Sequence, residues 1–399
     1  MKIKWILRGC MMIGMLFLLG GATAWIQNQK EETKEKQEIK SYDIPIKKEE
    51  EKKERRECKK AMQQCQTLYQ NAKKDESLNK ILSSEDMEKM AKHLAEKTGK
   101  TIDISSGQYN LWNYKKMEKF IQKLGKKEEA EVVWYRIGSS GEIGRNLFDF
   151  DGKTMYLTST IGTWNDKEEP VVGEPVKAEI KWWKETESGW FSYEISTPQP
   201  PEVTEIVDGT DMLRIIPQKE EYLEISKRYL QPIGYQGNNL FLTDWEEGNM
   251  DAIDFTAAYD VFYQMEHGER IQDGQYKEGI QKQEFEQKIM RFLPVTRPVL
   301  EKTAGFDSQT GTYRWEAKGY YNFLRESLGN ALPDIREKKE NPDGSVTFTI
   351  AAVNKMTGND GTFIHQLTVK FMENGRPYFL SNHVIKDEGK AAEKYHYRF

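Results

Sequence analysis

The chain has 399 residues, a net charge of −5 and 37% hydrophobic residues. Lys2, Lys4 and Arg8 are the charged groups of residues 1–29, so the remainder carries −8; no basic stripe is present to displace phosphate counterions, which argues against nucleic acid as a partner. Three cysteines in a chain of this length argue against a disulfide framework, so hydrophobic cores must hold it, and at roughly 100–200 residues per domain about two are expected.

The chain opens MKIKWILRGCMMIGMLFLLGGATAW. Its basic residues precede an uncharged run over 9–26, which predicts a single-pass membrane helix with the N-terminus in the cytoplasm and everything after it exported. Trp5 and Trp25 lie about 30 Å apart along a helix, the spacing of interfacial tryptophans in a retained anchor. Met11–Leu19 followed by Ala22-Thr23-Ala24 also fits a cleaved signal peptide, giving a secreted chain cut after Ala24. Cys10 precedes the apolar run, so it does not mark a lipidation site.

Residues 30–60 hold 12 positive and 10 negative groups, a solvated stalk with a helix expected after Pro45. The amphipathic stripe Cys58, Ala61, Met62, Cys65, Leu68, Tyr69 and Ala72 then marks one helix face. It either docks on the following domain or forms a dimer through residues 58–72. Along a helix Cys58 and Cys65 stand about 10 Å apart, beyond disulfide reach of each other but free to bridge to a second chain.

The first domain is expected over 77–205. Two helices, SSEDMEKMAKHLAEKTG and NYKKMEKFIQKLG, are punctuated by Ser83, Ser84, Gly99 and Gly125. Strands EVVWYRI, NLFDF, KTMYLTST, VKAEIKWWK and GWFSYEI follow, with Asp151-Gly152 as a two-residue hairpin loop. PQPPE at 198–202 marks the break to a second domain over 206–399. There KEEYLEISKRYL, DAIDFTAAYDVFYQM and KQEFEQKIMRFL are amphipathic helices, and IREKKE reads as an edge strand. NPDG turns it into SVTFTIAAV; FIHQLTVKFM and RPYFLSNHVI then pair across Asn374-Gly375. With those two residues as the loop, Glu373 faces Arg376, Val369 faces Leu380 and His365 faces Val384.

The class is therefore α+β: an N-terminal membrane helix (1–29), a stalk with its helix (30–76), then two domains, each with helices on one face of an antiparallel sheet. Cystatin and NTF2-like folds are the analogy. EYLEISKRYLQPIGYQGNNLFLTDWEE, GIQKQEFEQKIMRFLPVT, FDSQTGTYRW, NPDGSVTFTI and HQLTVKFMENGRPYFLSNHVI resemble an uncharacterised family of exported, often membrane-anchored proteins from Gram-positive bacteria. The likeness runs from about Lys80 to Ile385; it implies location and boundaries but no activity.

Few chemistries find residues to carry them. GSSGEIG at 138–144 lacks the order and lysine of a phosphate-binding loop, and DFDG at 149–152 lacks the acidic spacing of a calcium loop; both read as hairpin turns. No HExxH, paired-cysteine or GxSxG pattern exists, so neither a metal nor a cofactor is expected. FLTDWEEGNMDAIDF places Asp244, Glu246, Glu247, Asp251 and Asp254 around Trp245, the raw material of a glycosidase: two carboxylates beside an aromatic sugar platform. Its structural alternative is a polar loop with Asp251 near a helix N-terminus. His365, with Tyr378 and Asn382 on the neighbouring strand, either orients a ligand in a pocket or is a core histidine satisfied by hydrogen bonds. The resulting expectation is a non-enzymatic binding module at the cell surface, taking a protein partner or a small ligand; the alternative is a cell-envelope glycan hydrolase using Asp244, Glu246 and Glu247.

Overall fold

The computed structural model describes residues 40–75, 81–105, 110–204, 207–272, 274–315, 328 and 331–388. The leader, with its expected span at 9–26 and cleavage position after Ala24, lies outside these residues. Among the described residues no helix is long and apolar enough to cross a membrane. The chain divides into two compact units, unit 1 comprising 1–106, 111–182 and 194–209, and unit 2 comprising 107–110, 183–193 and 210–399.

Unit 1 begins in the segment read as a solvated stalk. Ile44 N donates to Lys177 O and Glu179 N to Ser41 O, so the chain is already docked there. Helix α1 (Lys48–Asn71) follows, with Glu49, Glu50 and Glu51 in its first turn, where acids favour the helix dipole. Its apolar face, Cys58, Ala61, Met62, Cys65 and Tyr69, is buried in the same unit, the first of the two expected arrangements. The burial is close: a Cβ on Gly162 would lie 2.7 Å from Met62 Cγ and 3.3 Å from Cys58 Sγ, so only glycine admits the helix here. Both cysteines are free and buried, and burial pushes each thiol up to about 12, holding them neutral. Glu54 is buried as well, against the guanidinium of buried Arg145. Within the described part of the stalk segment, 40–60, the charged helix expected after Pro45 is seated on the unit because one stripe supplies enough apolar surface; residues 30–39 lie outside the described residues.

Helix α2 (Ser84–Thr98) starts where Ser83 Oγ accepts from Asp86 N and ends at left-handed Gly99. Strand β1 (Thr101–Ile104), helix α3 (Lys115–Gly125) and strand β2 (Ala130–Ile137) form a parallel crossover, with Thr101 opposite Trp134. The sheet is therefore mixed, not purely antiparallel as expected. TIDI escaped sequence reading because all four residues are buried, leaving no alternation to detect. Strands β3 (Ile143–Phe150), β4 (Met155–Trp164), β5 (Pro170–Val172) and β6 (Val176–Glu185) extend it antiparallel, in the order β6-β4-β3-β2-β1 with β5 on β4. Helices cover both faces. Cys58 of α1 approaches Ile143 O at 3.6 Å and Glu54 pairs with Arg145, while Phe120 of α3 stacks at 5.9 Å on Phe148, which points the other way.

The next strands are β7 (Trp190–Ile195) and β8 (Thr210–Arg214). Unit 2 continues with α4 (Glu220–Ile225), which loosens into a π-turn over Ser226–Leu230. Strand β9 (Trp245–Glu246), helices α5 (Phe255–His267), α6 (Lys282–Phe292) and α7 (Arg297–Thr303), and strands β10 (Leu332–Glu340), β11 (Val346–Val353), β12 (Phe363–Phe371) and β13 (Pro377–Asp387) follow, beside a small sheet of the two-residue strands Ile280–Gln281, Phe306–Asp307 and Thr312–Tyr313. The antiparallel order β9-β13-β12-β11-β10 leaves charged β10 at an edge, as its sequence suggested. Phe262 of α5 stacks on Phe292 of α6 at 4.4 Å and on Phe379 of β13 at 6.1 Å, which locks both helices onto one sheet face.

Five hairpins close with one device. In 138–142, 165–169, 186–190, 341–345 and 372–376 the first and last residues pair and the fourth takes a positive φ. That residue is glycine in four cases and Glu168 (φ 59°) in the fifth. The Asn374-Gly375 loop is thus three residues, and Met372, not Glu373, faces Arg376. Val369 consequently faces Phe379, until a bulge at Leu380 restores the expected pairing of His365 with Val384. The Asp151-Gly152 loop is likewise shifted by one residue, since Asp151 N donates to Thr154 O.

Replacing Arg145 by Met should strand the Glu54 carboxylate in the core and lower stability by about 3–5 kcal/mol. The double variant E54L/R145M should recover most of that loss. Urea denaturation of the two variants checks this; equal destabilisation by both would show that the ion pair is not what holds the site.

Candidate functional site

The structure places His365 and Asn382 together in the core of unit 2. Asn382 Nδ2 donates to Thr243 O (2.8 Å) and Phe241 O (3.2 Å), two carbonyls that can only accept. Its Oδ1 therefore faces His365 Nδ1 at 2.6 Å, which puts the proton on Nδ1. Nε2 is left as the acceptor for Tyr235 OH at 3.1 Å. Phe241 and Phe363 pack against the ring, at 4.7 and 5.8 Å. Burial lowers the histidine pKa to about 4, with the Asn382 hydrogen bond opposing it. His365 thus takes the core role among its two expected ones, and it ties β12 and β13 to the 235–243 loop. Tyr378 is not brought to it. The bulge at Leu380 breaks alternation, so Asn382 turns inward with Phe379 while half-buried Tyr378 stands opposite Lys370.

The acidic cluster is dispersed among structural tasks. Asp244 Oδ1 accepts from Val384 N at 2.6 Å, and Glu246 sits in β9 opposite Ser381, its side chain exposed. Glu247 is exposed in the turn before left-handed Gly248. Asp251 pairs with Lys302 (3.1 Å), and Asp254, not Asp251, caps α5 through Ala257 N (3.0 Å). Trp245 is 1% exposed and donates to Leu240 O, so its ring offers no sugar platform.

A site that sequence reading missed lies where the π-turn, α5, α6 and the 372–376 hairpin meet. These elements border an open, shallow cleft of about 440 Å³, a volume within the range of small-ligand sites. Arg228, Arg291 and Arg376 line it, with Glu266 as the lining carboxylate. Glu266 is already engaged by Lys288 (2.7 Å) and Arg291 (3.1 Å). Lys288 also donates to His267 Nε2 (3.2 Å) and sits 4.9 Å from the Tyr263 ring centre. The Arg376 guanidinium lies over Phe292 and donates to Arg291 O, but its Nε is buried without an acceptor. Burial, followed by the neighbouring charge of Arg291, lowers its pKa. Tyr229 OH donates to Gly375 O at 2.7 Å, tethering the π-turn to the hairpin and placing Arg228 beside Arg376. These arginines are 63, 148 and 85 residues apart in pairwise terms, so no local motif announced them. Among the described residues no group of three or more metal-ligating side chains occurs.

Three comparisons with known proteins bear on identity. The model of a family described as a family of unknown function (DUF6070) matches residues 51–398, a longer span than the expected 80–385. No curated protein and no solved structure matches the chain.

Unfolding releases a histidine of ordinary pKa, about 6.5, which then binds a proton that buried His365 refuses until about 4. Its contribution is present above pH 6.5 and is lost as pH falls toward 4, by ~3 kcal/mol in total. Urea melts of the chain and of H365Q at pH 7 and pH 5 should show this acid sensitivity in the first and its reduction in the second.

Proposed function

The chain belongs to that family of unknown function, and we propose that it is a non-enzymatic binding module standing outside the cytoplasmic membrane. The cleft of unit 2 carries this reading. It is a preformed concavity built by four separate elements, and its lining cations outnumber its carboxylates. The anchor at residues 9–26 rests on the order of charge and apolarity in the leader, with export after cleavage at Ala24 as the alternative. The cystatin or NTF2-like analogy is part of the same proposal for unit 2, supported by two helices stacked on one face of an antiparallel sheet. The glycan-hydrolase reading has less support, because Asp244, Asp251 and Asp254 serve backbone and ion-pair contacts and Trp245 is buried.

A photocrosslinking side chain at Met265, in the cleft, should capture a ligand or partner in intact cells. The same group at Lys339, on edge strand β10, should not. Equal capture at both positions, or none at Met265, would count against the cleft. The double variant E246Q/E247Q should retain the protein's cellular role; loss of that role with an unchanged thermal melt would favour the hydrolase instead.

A further inference from the structure

We propose that the unit 2 cleft seats a phosphate-ester group, with Arg228, Arg291 and Arg376 as its donors; this rests on the cleft being the binding site. The first support is charge. Arg228, Lys288, Arg291 and Arg376 gather around one carboxylate, Glu266, which is already shared by Lys288 and Arg291. The three-charge excess exceeds what a single carboxylate would balance and suits a dianion.

The second support is hydrogen bonding. Several buried side-chain donors among the described residues have no acceptor, and Arg376 Nε is the one of them that belongs to a residue lining the cleft. The same side chain has given another donor to Arg291 O, which fixes the plane of its fork. A planar guanidinium held this way is prearranged for an oxyanion, whose charge-assisted bonds are roughly twice as strong as neutral ones. Arg228 is exposed and stacks 5.2 Å from the ring of Tyr229, the residue that ties its turn to the Arg376 hairpin. Met265, Phe292 and Pro377 supply an apolar wall for the uncharged part of the ligand.

Hydrogen exchange of the full chain in nonionic detergent micelles tests this, with inorganic phosphate, glycerol phosphate and acetate as free probes. Micelles doped with phosphatidic acid, a phosphomonoester lipid, or with zwitterionic phosphatidylcholine supply the lipid arm. Protection of 226–230, 286–292 and 372–377 by a phosphate species, weakened about tenfold in R228Q and in R376Q, is expected; tenfold corresponds to about 1.4 kcal/mol. R376K should not restore binding, because lysine lacks the fork. Protection by phosphatidic acid alone would identify the phosphate as a lipid headgroup. Equal protection by acetate, no protection by any phosphate species, or binding indifferent to R228Q would overturn the proposal. Arg228 is exposed, so R228Q should fold even if R376Q does not. A crosslink at Met265 without phosphate protection would sink the ligand class and leave the binding module standing; loss of both would sink the module too.

Discussion

The left-handed residue that closes each three-residue hairpin governs how both units are built. An antiparallel pair can be joined tightly only if one loop residue reverses the chain at positive φ, and a side chain there costs roughly 1 kcal/mol. Glycine meets the requirement at 141, 189, 344 and 375, while Glu168 accepts the strain and is held by its ion pair with Lys74 at 3.1 Å. The loop ending at Gly375 has consequences well beyond the turn. It offsets β13 against β12 by one residue, the bulge at Leu380 takes up the offset, and the two together aim Asn382 into the core and Arg376 into the cleft.

The polar cluster in the core of unit 2 is accommodated by completeness. A buried donor or acceptor left unpaired costs about 1–3 kcal/mol, so such groups persist where neighbours answer them. The Asn382 amide meets two carbonyls and a ring nitrogen, and that ring's other nitrogen meets a tyrosine hydroxyl. Every proton in the set has one permitted position, which makes the cluster a rigid joint and a poor catalyst. Arg376 differs from that cluster: its Nε, like some other buried donors, is unanswered, and the residue lines a cleft.

Charge in this protein is a local property. The chain as a whole is acidic, which speaks against binding to extended polyanions. At physiological salt, however, exposed charges are screened beyond about 8 Å, and a group inside the cleft responds to the cations lining it more than to distant carboxylates. Net charge therefore constrains which large surfaces the molecule can approach, and it says little about what a recessed site accepts. The cations of the cleft arrive from the π-turn, α6 and the last hairpin, and folding alone brings them together.

Much of the architecture is legible in the chain itself, because helix faces and strand alternation are written in patterns of a few residues. The stripe from Cys58 to Tyr69, the Ser83 cap with its Gly99 stop, the edge character of β10 and the four long strands of unit 2 are all of this kind. Loop length, the bulge at Leu380, the parallel pairing of Thr101–Ile104 and the burial of Glu54 are not, because each depends on a partner distant in sequence. The same division separates the candidate sites. Crowding made Asp244–Asp254 conspicuous, although the fold assigns several of those acids to caps and ladder ends. Arg228, Arg291 and Arg376 are unremarked in sequence, and tertiary structure alone decides that they share a cleft, since convergence in space leaves no periodic trace along the chain.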